Sequence, residues 1–329
     1  MGPAFLWAEG QRNFRPTSHF SLLTSHVSRL TPHVSRSFMA RIALATAAHI
    51  PELAPDDQLL LPVLRALGAE AEPAVWNDPD YPWAERDLVV VRSTWDYEGQ
   101  RAAFVDWARG VSRVTRIEND ADILDWNTDK SYLERFGREG VPVVGTAILD
   151  GAAPADLERL LAEYGWDEVV VKPAVGAGGR DIYRVRAGRV HDAGEGLVRM
   201  LARGRALVQP FLRTVEAPGE LSLLFFDGRF SHAAIKRPAA GDFRVQEVLG
   251  GTTTRIDVTG REVAAGERVL AALDTMPLYA RCDFLHGQDG EWLLSELELT
   301  EPSMFLVLHP AAPERFARAI LSRARAPAR

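Results

Sequence analysis

Lysine is scarce in this sequence. Of its 329 residues, 38 are Lys or Arg, and only three of these are lysine: Lys130, Lys172 and Lys236. A coding bias toward arginine explains the shortage, but it does not explain why lysine stands at these three positions. The lysine ammonium is a compact charge on a thin stem, whereas the arginine guanidinium is a bulky planar fork. The three lysines are therefore the first candidates for positions at which a small cation is needed.

Other shortages exclude whole classes of protein. The single cysteine, Cys282, excludes an internal disulfide framework and a cysteine-based zinc site, and it suits a reducing cytosol. The net charge of −7 provides no overall basic field for nucleic acid. No apolar run reaches the roughly 18 residues that a membrane span needs. We therefore expect a cytoplasmic protein that binds neither nucleic acid nor a membrane.

Residues 1–38 differ in composition from the rest of the chain. They hold four arginines and one glutamate, and they contain a short repeat, Thr24-Ser-His-Val-Ser-Arg-Leu30 followed by Thr31-Pro-His-Val-Ser-Arg-Ser37. A clean strand pattern begins directly after Met39. We predict a disordered or upstream-translated leader, although an acid-poor composition rich in Arg and Ser also permits a targeting peptide.

From residue 41 onward, short β-branched runs alternate with amphipathic stretches, which is typical of α/β architecture. Strands are predicted at 41–46, 71–76, 87–92, 168–172, 182–185, 206–210, 221–227, 230–237, 278–285 and 292–299, and helices at 56–67, at 100–110, directly after 130 and at 314–325. Connections between strands without a helix imply antiparallel sheet in the second half. The expected fold class is mixed α/β (α+β), with a Rossmann-like front and a two-domain or larger organisation.

A glycine loop follows the strand that ends at Lys172. The loop contains Gly176, Gly178 and Gly179. Loops with few side chains let backbone N–H groups approach a phosphate closely. No helix pattern follows, which argues against a dinucleotide fingerprint, and no Gly-Lys-Ser/Thr is present, which excludes a P-loop. An ordinary hairpin turn explains the segment equally well.

Lys130 is predicted to lie in the first turn of a helix whose N-cap is Asn127 or Thr128. A cation there opposes the helix dipole, unless an anion is held nearby. The alternative is a solvated lysine that is tolerated at small energetic cost.

Lys236 belongs to a second basic group. With Arg237 and Arg244 it places three cations within nine residues. These cations either converge on a polyanion or form a solvated edge of the sheet.

Three carboxylates stand in two late strand patterns. Glu296 and Glu298 alternate with leucines, so both side chains point to one face of a strand, and Asp283 joins them if the two strands pair. Hard oxygen ligands of this kind suit Mg²⁺. A solvent-facing acidic strand is the alternative.

Arg92, Ser93, Thr94 and Asp96 follow a strongly apolar strand pattern. In open α/β sheets, ligands bind at the carboxyl ends of strands. We therefore expect Arg92 to clamp a substrate carboxylate, with the neighbouring polar side chains in support. A packed turn at the end of the strand is the alternative.

The order of these features resembles that of the ATP-grasp superfamily, in the branch of ribosomal-protein glutamate ligases and glutathione-synthetase-like enzymes. The resemblance covers roughly residues 41–320 and includes the segment Ile235-Lys-Arg-Pro-Ala-Ala-Gly-Asp-Phe-Arg-Val-Gln246. At finer grain, Arg92-Ser-Thr-Trp-Asp-Tyr97, Trp126-Asn-Thr-Asp-Lys130 and the loop at 172–180 are similar to the cyclo-ligases that close the isoxazolidinone ring in cycloserine biosynthesis. The resemblance implies a Rossmann-like substrate domain at 39–126, a lid lobe at 127–213 and a C-terminal lobe at 214–329 with the metal site.

The resemblance also implies roles for individual residues. Phosphates of ATP would be held by Lys130, Lys172 and the loop glycines Gly176, Gly178 and Gly179, and the base and ribose by Gln209, Phe211, Leu212 and Glu216. Lys236 and Arg244 match catalytic positions near the transferred phosphoryl group and the activated carboxylate. Asp283, Glu296 and Glu298 match the ligands of one or two Mg²⁺ ions, with Mn²⁺ as a permitted substitute. Glu298 stands where the family more often has asparagine, which leaves the number of ions open.

The activity implied is that of an ATP-dependent carboxylate–amine ligase that proceeds through an acyl phosphate. The substrate is then a small amino-acid-like carboxylate, and at finer grain O-ureido-D-serine, cyclised to cycloserine. The alternatives are an intermolecular amide or peptide ligase, an ATP-dependent phosphotransferase and a nucleotide-binding regulatory module. The resemblance also permits a homodimer.

Overall fold

The fold is built from three β-sheets in the part of the chain that the structure, a computed structural model, describes: residues 39–150, 153–176 and 178–326. The predicted leader lies outside these residues. Each sheet falls within one of the three predicted domain ranges. Among the helices described between residues 39 and 326, none is long and apolar enough to span a bilayer.

The described residues up to 127 form the Rossmann-like front. Four parallel strands pair in the order β2-β1-β3-β4, and every residue of the central strand β3 is buried, as its apolar run predicts. The elements are β1 (Arg41–Thr46), α1 (Pro55–Gln58), α2 (Leu60–Ala66), β2 (Glu70–Val75), β3 (Leu88–Ser93), α3 (Arg101–Ser112), β4 (Ile117–Glu118) and α4 (Ala121–Asn127). The predicted helix over 56–67 is in fact two helices that meet at Leu59.

The predicted helix start at Asn127 or Thr128 is wrong. Asn127 ends α4, a helix that the sequence reading did not separate and that is capped by Asp120. The Asn127 amide instead pairs with strand backbone, accepting from Leu299 N at 2.7 Å and donating to Leu297 O at 2.8 Å. Lys130 lies between this helix and the next, which begins after Ser131.

The described residues between 132 and 210 contain an antiparallel sheet in the order β5-β8-β6-β7. The glycine loop joins β6 to β7, so the predicted hairpin is confirmed. Helices α6 and α7 cover the sheet with leucines at helical spacing, and both escaped the sequence reading. The elements are α5 (Tyr132–Arg138), β5 (Ala147–Leu149), α6 (Pro154–Tyr164), β6 (Glu168–Pro173), β7 (Tyr183–Arg186), α7 (Gly194–Arg203) and β8 (Ala206–Pro210).

The described residues after 213 carry an antiparallel sheet of five strands in the order β11-β10-β9-β12-β13. Asp227 and Gly228 have φ of 49° and 73° and join β9 to β10, as the predicted two-residue hairpin requires. The elements are β9 (Glu220–Phe226), β10 (Arg229–Arg237), β11 (Thr252–Ile256), α8 (Gly260–Ala271), β12 (Tyr279–His286), β13 (Trp292–Glu298) and α9 (Ala312–Arg325). Helix α8 was missed, although Thr259 and Glu262 form a capping box at its start.

The last helix returns to the front sheet. Phe316 and Ile320 of α9 belong to one buried cluster with Leu60 and Leu64 of α2 and with Leu44 of β1. The beginning and the end of the described chain therefore share a core, and this packing brings β3 next to the segment after β13. The predicted boundaries at 126/127 and 213/214 stay predictions.

Candidate active site

A cavity of about 670 Å³ is lined by residues from all three parts of the fold. All three lysines contribute to its wall. The predicted site residues among its lining are Lys130, Lys172, Gly176, Gly178, Gly179, Gln209, Phe211, Leu212, Lys236, Arg244, Asp283, Glu296 and Glu298. Segments as far apart in sequence as Lys130 and Glu298 thus meet at one place.

The pairing of β12 with β13 brings the predicted carboxylates together. Asp283 lies opposite Glu296 in the antiparallel register, and Arg281 lies opposite Glu298. Because side chains alternate along a strand, all four point to the cavity face of the sheet. A basic residue therefore stands within the acidic group, and the sequence reading missed it. The same period of two that identified the glutamates would have found Arg281, two residues before Asp283.

Asp283 is the most strongly held of the carboxylates. The Lys236 ammonium donates to its Oδ2 at 2.8 Å, the Ser222 hydroxyl donates to Oδ1 at 2.6 Å, and Arg281 Nη2 lies 3.0 Å from Oδ2. Burial favours the neutral carboxyl, but the two cations hold the pKa of Asp283 well below its usual range. Asp283 is therefore ionised near neutral pH. Lys236 also pairs with Glu220, a cavity-lining carboxylate that the sequence reading missed.

Glu296 joins the other two lysines. Its carboxylate oxygens lie 3.2 Å from Lys130 Nζ and 3.7 Å from Lys172 Nζ. Burial alone would lower the pKa of the Lys130 ammonium, but the negative charges of Glu296 and Glu298 outweigh this effect and the pKa is raised. Lys130 also donates to the carbonyl of Gly176 at 2.6 Å, so the glycine loop is tied to the same charge cluster.

Two further carboxyls have raised pKa values. Glu298 pairs with Arg281, yet burial together with Glu296 and Asp283 raises its pKa to about 7. Burial and the charge of Glu298 raise the pKa of Glu301 to about 8. Glu301 lines the cavity and was missed by the sequence reading, because it lies beyond β13, where the period of two gives no information.

The three carboxylates have the chemistry of magnesium ligands, but the structure does not gather them into a metal site. Asp283, Glu296 and Glu298 supply hard oxygen ligands, which Mg²⁺ prefers. Each of them, however, is drawn to a lysine or arginine. Within residues 39–150, 153–176 and 178–326, no three His, Cys, Asp or Glu side chains stand together as a metal site. Their assignment as metal ligands stays a prediction.

The glycine loop packs closely against the segment after β10. Gly178 and Gly179 have φ of 67° and 74°, in the left-handed region that favours glycine. A Cβ at Gly179 would lie 2.7 Å from Gln246 Oε1, whereas a Cβ at Gly178 would meet no atom within 4 Å. A Cβ at position 179 would therefore require the Gln246 side chain to move, in addition to the unfavourable backbone conformation.

The predicted hinge residues Gln209, Phe211 and Leu212 line the cavity, but Glu216 is absent from its described lining. The Glu216 carboxylate lies 3.7 Å from Arg184, whose guanidinium is stacked 3.7 Å from the centre of the Phe211 ring. A ribose contact for Glu216 stays a prediction. Arg244 lines the cavity and is held by Asp242, with 2.8 Å between Nη2 and Oδ2.

Three of the four predicted substrate residues of the front are engaged inside the protein, whereas the buried Thr94 hydroxyl has no hydrogen-bond partner among the described residues. Arg92 is fully buried and its Nε lies 2.9 Å from Asp57 Oδ1, while the Ser93 hydroxyl donates to Oδ2 of the same carboxylate at 2.7 Å. Asp96 accepts from the indole of Trp76. Arg92, Ser93, Thr94 and Asp96 are all absent from the described lining of the cavity, where Trp95 and Tyr97 stand instead. A direct substrate contact for these four residues stays a prediction.

Comparison with known proteins identifies the family of this chain. The family model for the N-terminal domain of D-cycloserine synthetase DcsG matches residues 42–119, and the model for the ATP-grasp domain of prokaryotic glutathione synthetase matches residues 145–303. The cycloserine biosynthesis protein DcsG of Streptomyces lavendulae is 32% identical in a 296-residue alignment that covers 87% of this chain and 99% of that protein.

Solved structures give the same relationship. The crystal structure of D-cycloserine synthetase DcsG superposes with a TM-score of 0.78 at 31% identity, covering 87% of this chain and all of that one. D-alanine–D-alanine ligase from Bacillus anthracis shares the fold, with a TM-score of 0.61 at 16% identity over 87% of this chain and 97% of its own. The expected mixed α/β fold and ATP-grasp resemblance are thereby confirmed. The chain is an ATP-grasp ligase and belongs to the family of D-cycloserine synthetase DcsG.

Proposed function

We propose that this protein uses ATP to cyclise O-ureido-D-serine to cycloserine through an acyl phosphate. The observation that carries the proposal is the convergence of three lysines and three carboxylates in one cavity, which is also lined by Trp95 and Tyr97 of the front domain. Similarity to a cycloserine biosynthesis protein over 87% of the chain supports the choice of substrate.

ATP-grasp ligases use ATP and Mg²⁺. Lys130 and Lys172 hold the phosphates of ATP, because both ammonium groups lie together beside the Glu296 carboxylate. The tie from Lys130 to the Gly176 carbonyl couples the glycine loop to phosphate binding. Asp283, Glu296 and Glu298 would hold magnesium, which when bound supplies positive charge against the phosphate oxygens.

The chemistry begins when a substrate carboxylate oxygen attacks the γ-phosphorus and ADP leaves. The ureido nitrogen that is bonded to oxygen then attacks the acyl carbon and loses its proton. The bond from the acyl carbon to the phosphate oxygen breaks, phosphate leaves, and the ring closes. Cycloserine carries no carbamoyl group on that nitrogen, so water must remove the group as carbon dioxide and ammonia. Phosphoryl transfer of this kind depends on positioning and electrostatics, which Lys236 and Arg244 supply beside the reacting groups.

No side-chain nucleophile is required by this scheme. Cys282 is fully buried, and burial raises the pKa of its thiol, so the thiolate is not formed near neutral pH. This agrees with the expectation that Cys282 is a packing residue in β12.

The test is ADP release by the purified protein with Mg²⁺-ATP and O-ureido-D-serine, combined with mass spectrometry of the products. We expect one cycloserine for each ADP, with no second amine required. A requirement for a second amine, with a product that joins both molecules, would instead establish an intermolecular ligase. Transfer of phosphate to a hydroxyl without ring closure would establish a phosphotransferase.

A further inference from the structure

The segment Glu301–Met304, which follows β13, is held by an unusual set of hydrogen bonds. Each of its four consecutive backbone carbonyls lies within hydrogen-bond distance of a side-chain nitrogen. The pairs are Trp95 Nε1 with Glu301 O at 3.0 Å, Arg92 Nη2 with Pro302 O at 2.5 Å, Arg281 Nη1 with Ser303 O at 3.1 Å, and His232 Nε2 with Met304 O at 3.0 Å. Because a carbonyl only accepts, His232 carries its proton on Nε2 in this arrangement.

These donors come from separate places in the fold, namely β3 and the turn after it, β10 and β12. Arg92, His232 and Arg281 are buried. Most buried carbonyls are satisfied by backbone N–H groups in helices and sheets. Here long side chains donate to the carbonyls instead, so the segment has a fixed conformation without regular secondary structure. Its cavity-lining side chains, Glu301 and Ser303, are therefore presented from a rigid support.

Glu301 differs from the other carboxylates in the cavity. Asp283, Glu296 and Glu298 each face a lysine or arginine. Among the described residues, by contrast, the Glu301 carboxyl forms no ion pair or hydrogen bond, and only its backbone carbonyl is bonded. A carboxyl in a cavity wall without a cation is favoured in its neutral form, in line with the raised pKa of Glu301, and a cationic group of a ligand would stabilise its carboxylate.

We propose that the Glu301 carboxylate binds the α-ammonium group of the amino-acid substrate, and that the four side-chain donors hold it in position to do so. This inference rests on the proposed function. O-ureido-D-serine carries an ammonium on the carbon next to its carboxylate, and that ammonium is kept in cycloserine. Anchoring the ammonium at Glu301 places the carboxylate one carbon away, within the cavity that Lys236 and Arg244 also line. Glu301 thereby selects α-amino acids and sets which end of the substrate is phosphorylated.

The experiment pairs a variant with a substrate analogue. Glu301→Gln keeps the size of the side chain and removes its charge, and 3-(ureidooxy)propanoic acid is the substrate without its ammonium. ADP release is measured for both proteins with both compounds. We expect Glu301→Gln to raise KM for O-ureido-D-serine roughly 10- to 100-fold and to leave KM for ATP unchanged. The analogue should be poor for the wild type and no worse for the variant, because each change removes the same contact.

Controls separate this role from other effects. Glu314→Gln removes an exposed carboxylate on α9 and should leave both KM values unchanged. Glu301→Asp keeps the charge on a shorter side chain, and its KM for O-ureido-D-serine should lie between the values of the wild type and Glu301→Gln. If Glu301→Gln does not fold, Glu301→Asp together with the analogue still tests the contact.

Two results would overturn the assignment alone. In the first, the variant and the analogue each reduce activity independently, so that their losses multiply when they are combined. In the second, Glu301→Gln needs more Mg²⁺ while its KM for O-ureido-D-serine is unchanged, which would make Glu301 a metal ligand. Failure of the wild-type protein to release ADP with O-ureido-D-serine overturns the proposed function itself, and the assignment with it.

Discussion

The ammonium of Lys130 lies 3.2 Å from a carboxylate oxygen of Glu296 and donates on its other side to the carbonyl of Gly176. Lys130 is only 9% exposed, and its ammonium is already held by these two oxygens. A guanidinium in the same place would have to move either Glu296 or the glycine loop. The presence of lysine at this position thus has a structural explanation, because a compact cation fits between the two oxygens.

Lys130→Arg and Lys172→Arg should each reduce ATP turnover by about 100-fold, because a charge displaced by an ångström is poorly placed for phosphate binding. The measurement is substrate-dependent ADP release as a function of ATP concentration. Arg135→Lys is the matched control, since Arg135 pairs with Glu139 on the surface of α5 and the exchange there should be neutral. Wild-type turnover in both lysine variants would show that the positions tolerate either cation.

Gly179→Ala should impair turnover more than Gly178→Ala. Both glycines have positive φ, so either alanine should reduce the free energy of unfolding by about 1 to 2 kcal/mol. Only the Cβ at position 179 meets a neighbour, Gln246, which must then shift within the cavity wall. Thermal unfolding and ADP release measured on both variants separate the two effects. Equal turnover in the two variants would argue against a role for the Gly179 contact.

The cavity-lining residues could be predicted from the sequence more completely than the residues that hold them in place. The lysines, the glycine loop and the alternating carboxylates have local patterns, and they line one cavity. Arg281 was available to the same argument and was overlooked. Glu301 was not available, because its position depends on four side chains that lie between 20 and 209 residues away in the chain. Long-range contacts of this kind leave no periodic signal.

Arg92 shows the converse case, in which the local pattern located the end of the strand but not the contacts that the side chain makes. The strand end was identified, but Asp57 from α1 reaches the guanidinium, and α9 from the end of the chain covers it. Neither contact is visible in the residues around position 92. What the sequence pattern could not supply was the packing of distant elements over this strand.

Arg92→Ala and Asp57→Asn should therefore destabilise the protein by similar amounts, about 3 to 5 kcal/mol, because each leaves a buried partner uncompensated. Chemical denaturation of both variants measures this. A direct substrate contact for Arg92 predicts in addition that Arg92→Ala raises KM for O-ureido-D-serine far more than Asp57→Asn does. Equal changes in KM would identify Arg92 as a positioning residue that acts through Pro302.

Glu298→Asn should be far milder than Glu296→Gln. An amide oxygen can replace one carboxylate as a magnesium ligand, and Arg281 keeps Asp283 as a partner when Glu298 is neutral. We expect turnover within about tenfold of the wild type for Glu298→Asn, and a loss of about 100-fold for Glu296→Gln, which leaves two lysines without their shared carboxylate. Titration of each variant with Mg²⁺ is the measurement. A complete loss in Glu298→Asn would show that its charge is essential.

His232 should make the protein sensitive to acid. Burial lowers the pKa of His232 to about 4, below its ordinary value of 6.5, so the unfolded chain takes up a proton before the folded protein does. The contribution of the neutral imidazole to stability is therefore present above pH 6.5 and is lost as the pH falls toward 4. From pH 7 to pH 5 the loss of unfolding free energy attributable to this group is about 2 kcal/mol.

Urea denaturation at the two pH values, compared between the wild type and His232→Gln, isolates this loss, because the variant has no proton to gain at this site. The variant should lose about 2 kcal/mol less than the wild type over that interval. An identical pH dependence in both proteins would place the acid sensitivity elsewhere, and it would remove the support for a neutral His232 as the donor to the Met304 carbonyl.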